Sequence, residues 1–205
     1  MRVLSLLLVL GVLAAPAQAQ RGGSDEPSIW LSASAGYLWL ATVPDGATQS
    51  DWRFGDGFPW RLSVEKSLGG ASLGLAAMWM RAPLRYVSPA SCGSCDAHAT
   101  VAYYGPVFRL ASNRSWHTIL ELGAGVMQYG SFTEDATGAR LPPTSGNRDF
   151  ALSFGWGVGY AFSRDWALEI VWTSISTFHE RDNLPGNVTT HREHRQARVG
   201  LRIGY

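Results

Sequence analysis

The sequence lacks a hydrophobic run long enough to cross a membrane as a helix. Its apolar run from Val3 to Ala15 is shorter than the roughly 20 residues that a spanning helix needs, and the mean hydropathy is −0.03. The two cysteines, Cys92 and Cys95, are too close in sequence to join distant parts of the chain. The net charge of +1 gives no basic excess, so we expect no nucleic-acid partner.

Motifs of cofactor-dependent enzymes are also missing. The sequence has no phosphate-binding loop, no dinucleotide fingerprint, no HExxH and no EF-hand spacing. We therefore expect no cofactor, no bound metal and no enzymatic activity.

The N-terminus has the layout of a secretory signal peptide. Arg2 precedes the apolar run, and Ala17-Gln18-Ala19 forms a small-x-small cleavage site. We predict that residues 1–19 are removed and that residues 20–205 form a single domain. The alternative is an uncleaved anchor.

What the remaining chain has in abundance is glycine, tryptophan and strict alternation. The segment "FALSFGWGVGYAF", residues 150–162, alternates large apolar or aromatic residues with Gly, Ala and Ser. A strand separates these two sets onto opposite faces, whereas a helix mixes them. One face of this strand suits lipid, and the other leaves space inside a narrow barrel.

The same period predicts eight antiparallel strands that cross a membrane as an up-and-down β-barrel. The strands are expected at 28–42, 52–66, 71–82, 97–110, 116–131, 148–162, 166–178 and 192–205. Short, turn-like connections alternate with long polar ones near 43–51, 83–96, 132–147 and 179–191. This asymmetry is typical of outer-membrane barrels, which have short periplasmic turns and long external loops.

Charged residues alternate with the apolar face and are expected inside the barrel. An eight-stranded barrel is just wide enough for side chains to fill it, and buried charges need partners. We therefore predict a filled lumen with a charge network made of Arg61, Glu65, Arg109, Glu121, Glu169, Arg198 and Arg202. A proton or ion path is the alternative. Aromatic girdles are expected from Trp116, Trp166 and Tyr205 at one rim and Trp30, Trp52, Tyr86, Phe132 and Phe178 at the other.

The signal peptide, the eight amphipathic strands and the terminus "RVGLRIGY" resemble small bacterial outer-membrane β-barrels of the OmpA/OmpX type, a porin-like family of Gram-negative cell envelopes. The resemblance implies that the last strand is read by the outer-membrane insertion machinery, through Val199, Leu201, Ile203 and Tyr205. The family's usual last residue is Phe, so Tyr205 departs mildly from it. The resemblance covers nearly all of residues 20–205 and specifies architecture more strongly than activity.

Two clusters could carry chemistry. In "CGSCDAH" we favour a Cys92–Cys95 disulfide over a metal site that also uses His98, because only one C-x-x-C pair is present. In the stretch from Ser174 to His194, a lipid A hydrolase or acyltransferase site would draw on Ser174, Ser176, His179, Glu180, His191 and His194. Ser176 and His179 fall on opposite faces of a strand, which favours a solvated loop root instead.

The sequence thus predicts a monomeric integral outer-membrane barrel that contacts lipid and lipopolysaccharide. Its expected role is structural or surface-interactive, through four external loops. The alternatives are a lipid A-modifying enzyme and a narrow channel for small solutes.

Overall fold

The computed structural model describes residues 27–111, 115–144, 146–179 and 190–205. The predicted signal peptide, residues 1–19, lies outside the described residues, as does Glu180. Among the described residues, no helix is long and apolar enough to cross a membrane.

The described chain forms ten strands, and nearly all of them show the expected alternation of buried and exposed side chains. They are β1 (Ile29–Trp39), β2 (Val43–Asp45), β3 (Ser50–Phe54), β4 (Trp60–Ser67), β5 (Ala71–Ser88), β6 (Gly93–Ala111), β7 (Trp116–Glu134), β8 (Asn147–Ala161), β9 (Trp166–His179) and β10 (Thr190–Gly204).

Eight of these strands close into a ring. Antiparallel pairing runs β4–β1–β10–β9–β8–β7–β6–β5, and β5 pairs with β4 to complete the circle. The first and last strands are joined through Leu31↔Ile203 and the neighbouring pairs. Closure leaves the ring no free edge strand. The predicted all-β, eight-stranded antiparallel barrel is therefore confirmed.

The ring has two ends, which we call the turn end and the loop end. The turn end carries the connections after β4, β6 and β8 together with Tyr205. The loop end carries the connections after β1, β5, β7 and β9, and β2 and β3 lie within the first of these.

The predicted strand over 52–66 is wrong in one respect, because Gly55–Pro59 interrupts it. Here the Gly55 amide donates a hydrogen bond to the Pro83 carbonyl, and Gly57 and Leu38 exchange backbone hydrogen bonds. Strand parity restarts across this segment. As a result, Trp52 and Phe54 point into the barrel and Arg53 points outward, whereas unbroken alternation with Trp60 would place each on the opposite face.

The long connection predicted over 83–96 is mostly strand. β5 continues to Ser88 and β6 begins at Gly93, so the two form a hairpin that extends from the loop end. The alternation of apolar residues does not predict this part of the strand, because outward residues such as Arg85 and Asp96 are polar. Beyond the membrane a barrel strand needs no apolar face.

The outer face between the two ends is apolar on every strand of the ring. Exposed members include Leu31, Leu62, Leu75, Leu122, Phe154, Trp156, Ile170 and Val199. This band ends toward the loop end where polar residues replace it, as at Arg81 on β5 and Ser174 on β9.

Candidate functional site: the charged barrel interior

The structure places all seven predicted network residues inside the barrel, and none is more than 7% exposed. They come from β4, β6, β7, β9 and β10, on positions whose neighbours face outward. Strand alternation therefore positions every member, and their long side chains meet across the lumen.

Glu121 on β7 is the centre of the network. Its Oε1 accepts a hydrogen bond from Arg61 Nη2 at 2.7 Å, and its Oε2 accepts one from Arg198 Nη2 at 2.7 Å. Arg109 Nη1 lies 3.6 Å from the same Oε2. Three guanidinium groups from three other strands thus meet one carboxylate, which ties opposite walls of the ring together.

Glu65 and Glu169 extend the network toward the turn end. Glu65 accepts hydrogen bonds from Arg202 at 2.9 Å, Ser72 at 2.6 Å and Ser63 at 2.8 Å. Glu169 Oε1 lies 2.5 Å from Arg109 Nη2 and 3.8 Å from His117 Nε2. Because Arg109 contacts both Glu169 and Glu121, these groups form one connected cluster with Arg61 and Arg198. The Glu65–Arg202 pair is held separately, by Ser63 and Ser72.

The small inward face of β8 provides the space that this cluster occupies. A Cβ on Gly159 would overlap the His117 ring, and one on Gly155 would lie 3.1 Å from Thr173 and 3.3 Å from Glu121. The alternation in residues 150–162 thus gives the wall an apolar outer face and leaves space for side chains on its inner face.

Sequence reasoning missed that the loop-end half of the interior is an apolar core. It also placed Trp52, Tyr86 and Phe132 in a girdle, whereas each is at most 1% exposed and packs inside. Trp30 is at the turn end, where Arg202 stacks over its ring at 4.4 Å. In the sequence, an aromatic residue near a strand end looks the same whether it belongs to a rim girdle or packs inside the barrel, so only the fold distinguishes the two.

A buried ion cluster at the loop end was also missed. His179 Nδ1 lies 2.8 Å from Asp149, and its Nε2 lies 3.3 Å from Asp45 on β2. Asp45 also accepts hydrogen bonds from the backbone and side chain of Thr48. Burial alone would raise the pKa of Asp45, but the hydrogen bonds from His179 and Thr48 outweigh it and lower that pKa below its ordinary value.

A second histidine holds the first connection against the wall. The Ala41 amide donates to His194 Nδ1 at 3.0 Å, so the neutral ring carries its proton on Nε2. That nitrogen lies 3.2 Å from both Tyr129 Oη and Thr177 Oγ1. The inward parity of Asp149, His179 and His194 was readable from the sequence, but Asp45, the second partner of His179, was not.

The residues considered for lipid A chemistry are not brought together. Ser174 and Ser176 lie on the outer face of β9, whereas His179 and His194 point inward. The Ser174 hydroxyl donates to Glu193 at 3.1 Å, and His191 lies beside the Phe178 ring on the outer face. Within the described residues, no hydrogen bond joins one of these serines to a histidine.

The cysteine cluster lies at the tip of the β5–β6 hairpin, where Cys92 and Cys95 form a disulfide. His98 is turned to other partners: its Nδ1 lies 2.6 Å from Asp135 and its Nε2 2.7 Å from Arg81. Across the described ranges, no group of three or more His, Cys, Asp or Glu side chains could hold a metal ion.

The last strand presents its apolar residues to the outside. Val199 and Tyr205 are 51% and 69% exposed, and Leu201 and Ile203 share their face. Arg198 and Arg202 occupy the opposite face inside the network. The Tyr205 carbonyl accepts hydrogen bonds from the amides of Ser28 and Ile29, which fixes the end of the chain to β1.

A closed eight-stranded antiparallel ring with an apolar outer band and a charged, filled interior is the fold of small transmembrane β-barrels. No protein-family model matches the chain, and no curated protein matches it in sequence.

Solved structures match the fold. Neisserial surface protein A is similar with a TM-score of 0.55 at 12% identity, over 87% of this chain and 97% of that one. The outer membrane protein OprG of Pseudomonas aeruginosa has a TM-score of 0.48 at 10% identity, over 87% and 95%. The N-terminal barrel domain of Pseudomonas aeruginosa OprF has 0.47 at 9%, over 87% and 98%. At these identities the likeness is one of fold.

Proposed function

We propose that this protein is an integral outer-membrane barrel whose role is structural or surface-interactive rather than enzymatic. The observation that carries the proposal is the apolar outer band around a closed ring that has charged groups buried inside it. In water this band would be a large exposed apolar surface, whereas in a membrane it contacts lipid chains. The fold likeness to a Neisserial surface protein supports the same location.

In this proposal the signal peptide is removed after Ala19 and the turn end faces the periplasm. Outer-membrane lipid and lipopolysaccharide surround the band, and the insertion machinery reads Val199, Leu201, Ile203 and Tyr205. The barrel acts as a monomer, because its closed ring needs no partner strand. The β5–β6 hairpin and the other loop-end connections contact the surroundings of the cell.

The two native cysteines allow a direct test of location and orientation. Intact Gram-negative cells that express the full chain are treated with a reductant and then with a membrane-impermeant maleimide. We expect labelling at Cys92 and Cys95, since both lie at the loop end. A matched variant lacking both cysteines and carrying Leu68→Cys, exposed at the turn end, should label only after cell lysis. The reverse pattern would overturn the orientation, and recovery of the protein from the soluble fraction would overturn the location.

The filled interior argues against the channel alternative. In planar bilayers we expect no conductance steps from the purified barrel, and reproducible steps would support the channel alternative. The enzyme alternative is tested by incubation with lipopolysaccharide, for which we expect no release of fatty acid in a mass spectrum.

A further inference from the structure

The charge network is not neutral. It buries four guanidinium groups, Arg61, Arg109, Arg198 and Arg202, against three carboxylates, Glu65, Glu121 and Glu169. Arginine does not lose its proton in proteins, so the cluster carries at least one positive charge in excess. Protonation of a glutamate or of His117, which borders Glu169, would only increase that excess.

The excess negative charge at the loop end lies too far from the network to be its close counter-charge. Asp45 and Asp149 lie on either side of His179. On the inward face of β9, Val171, Thr173, Ile175 and Thr177 separate His179 from Glu169. An uncompensated charge inside a barrel costs several kcal/mol in a medium of low dielectric constant, so a counter-ion close to the network would stabilise the fold.

A candidate position for such an ion lies beside the network. A small cavity, with room for a single water-sized species, lies between the network and the inner wall. It exists because β1 presents only Ser32 and Ser34 opposite the long arginines. Its lining includes Arg61, Arg109 and Arg198 as well as Glu121 and Glu169.

Hydrogen-bond donors lining this cavity lack partners. Arg61 Nη1, Arg109 Nε and the Ser32 hydroxyl are buried without one. Arg61 and Arg109 are only 4% and 2% exposed. Of the two lining carboxylates, Glu121 is hydrogen-bonded on both oxygens and Glu169 Oε1 lies 2.5 Å from Arg109.

We propose that this cavity binds a small monatomic anion, such as chloride, which neutralises the buried network. The Arg61 and Arg109 guanidinium groups and the Ser32 hydroxyl donate to it, and the apolar side chain of Val171 covers one side. The ion is a structural ligand of the barrel and takes part in no reaction. This inference does not depend on the proposed cellular role.

The test measures stability against halide concentration. The barrel is refolded into zwitterionic lipid vesicles and unfolded with urea, with tryptophan fluorescence as the signal. Chloride is exchanged for gluconate, an anion too large for the cavity, at constant ionic strength. A ligand of the folded state raises the folded-to-unfolded ratio about tenfold for each tenfold rise in its concentration above the dissociation constant. We expect that rise with chloride and bromide and none with gluconate.

Two variants separate site binding from general salt effects. Ser32→Asp places a carboxylate in the cavity, so its stability should no longer depend on chloride. Ser153→Ala removes an inward hydroxyl that bonds Tyr103 instead, so it should keep the chloride dependence of the native chain.

Crystals grown in bromide provide a direct measurement that does not depend on either variant. We expect an anomalous peak beside Arg61 and Arg109. The absence of this peak, or equal stability of the native barrel in chloride and gluconate, would mean that the cavity holds water only and would overturn the proposal.

Discussion

At the scale of single residues, Glu121 connects more of the barrel than any other side chain of the described network. It is the carboxylate toward which Arg61, Arg109 and Arg198 converge, from β4, β6 and β10. Removing one partner of a buried ion pair leaves the others charged and unsatisfied, which is far more damaging than losing a surface pair.

We predict that Glu121→Gln lowers the free energy of unfolding by about 3–5 kcal/mol. The glutamine keeps the shape of the side chain but leaves three buried guanidinium groups without their common counter-charge. Urea unfolding in lipid vesicles measures the loss. The control is Glu193→Gln, since Glu193 pairs with Arg195 on the outer surface and its loss should cost about 1 kcal/mol or less. Equal effects of the two substitutions would contradict the role given to the network.

Asp45 gives the loop end a dependence on acid. Its pKa is lower in the folded chain than in the unfolded chain, so its contribution to stability is complete above the unfolded value of about 4. That contribution disappears as the pH falls through the folded pKa.

We therefore predict that the native barrel loses stability below about pH 4 and that Asp45→Asn loses less over the same interval. Unfolding midpoints measured from pH 7 downward provide the comparison. The control is Asp51→Asn, because Asp51 is only partly buried and lies 3.8 Å from Arg53. An Asp45→Asn profile parallel to the native one would show that this carboxylate does not supply the acid sensitivity.

At the scale of elements, β8 shows how one strand meets two different requirements. From residue 150 to residue 160 its outward residues are large and apolar, whereas its inward residues are small because side chains from neighbouring strands occupy the lumen. The Gly159 position is filled on the inside by His117 of β7.

We predict that Gly159→Val prevents refolding or destabilises the barrel by more than about 2 kcal/mol, since the added carbons overlap the His117 ring and rigid packing resists such insertions. Its neighbour on the outer face supplies the control, because Val158→Leu adds a carbon toward lipid and should refold normally. Refolding yield in vesicles, followed by tryptophan fluorescence, measures both. Normal refolding of Gly159→Val would mean that the lumen is less filled than its contacts indicate.

At the scale of the whole molecule, the apolar band predicts how deeply each outward residue is immersed. On β9 the band includes Ile170 and gives way to Ser174 and Ser176, before the outward ring of Phe178 near the end of the strand. The cost of a charge on this face should therefore depend on depth.

We predict that Ile170→Arg lowers the free energy of unfolding by about 2–4 kcal/mol, because it places a charge among lipid chains. Ser174→Arg, on the same face of the same strand, should cost no more than about 1 kcal/mol, because it lies toward the interface. Both values come from urea titrations of the refolded barrel. Similar costs at the two positions would contradict the membrane position proposed for β9.

Much of the fold could be read from alternation alone. Residues 150–162 show their two faces without ambiguity, and the parity of Arg61, Glu65, Arg109 and Glu121 places them on the inner side of their strands. This succeeds because a strand allows each side chain only two directions, and lipid requires one of the two faces to be apolar.

Alternation failed where no lipid imposes it. Between Gly55 and Pro59 the backbone leaves the regular ladder, so the faces of Trp52 and Phe54 could not be deduced from those of Trp60 and Leu62. The loop-end extension of β5 and β6 carries charged outward residues in water, so it shows no alternation of apolar and polar residues from which a strand could be predicted. In these regions the pairing partners, not the local pattern, decide which side is buried.

The sequence by itself determined the number of crossing strands and the side on which each network charge lies. Only the tertiary structure decided which charges meet: Glu121 joins Arg61 and Arg198, which are 137 residues apart along the chain, and Asp45 reaches His179 across the loop end. The physical reason is that side-chain direction follows from local backbone geometry, whereas contact across a lumen depends on the registers of all eight strands together. The small cavity beside Ser32 also depends on these registers and on the side chains that fill the lumen, so the sequence alone does not reveal it.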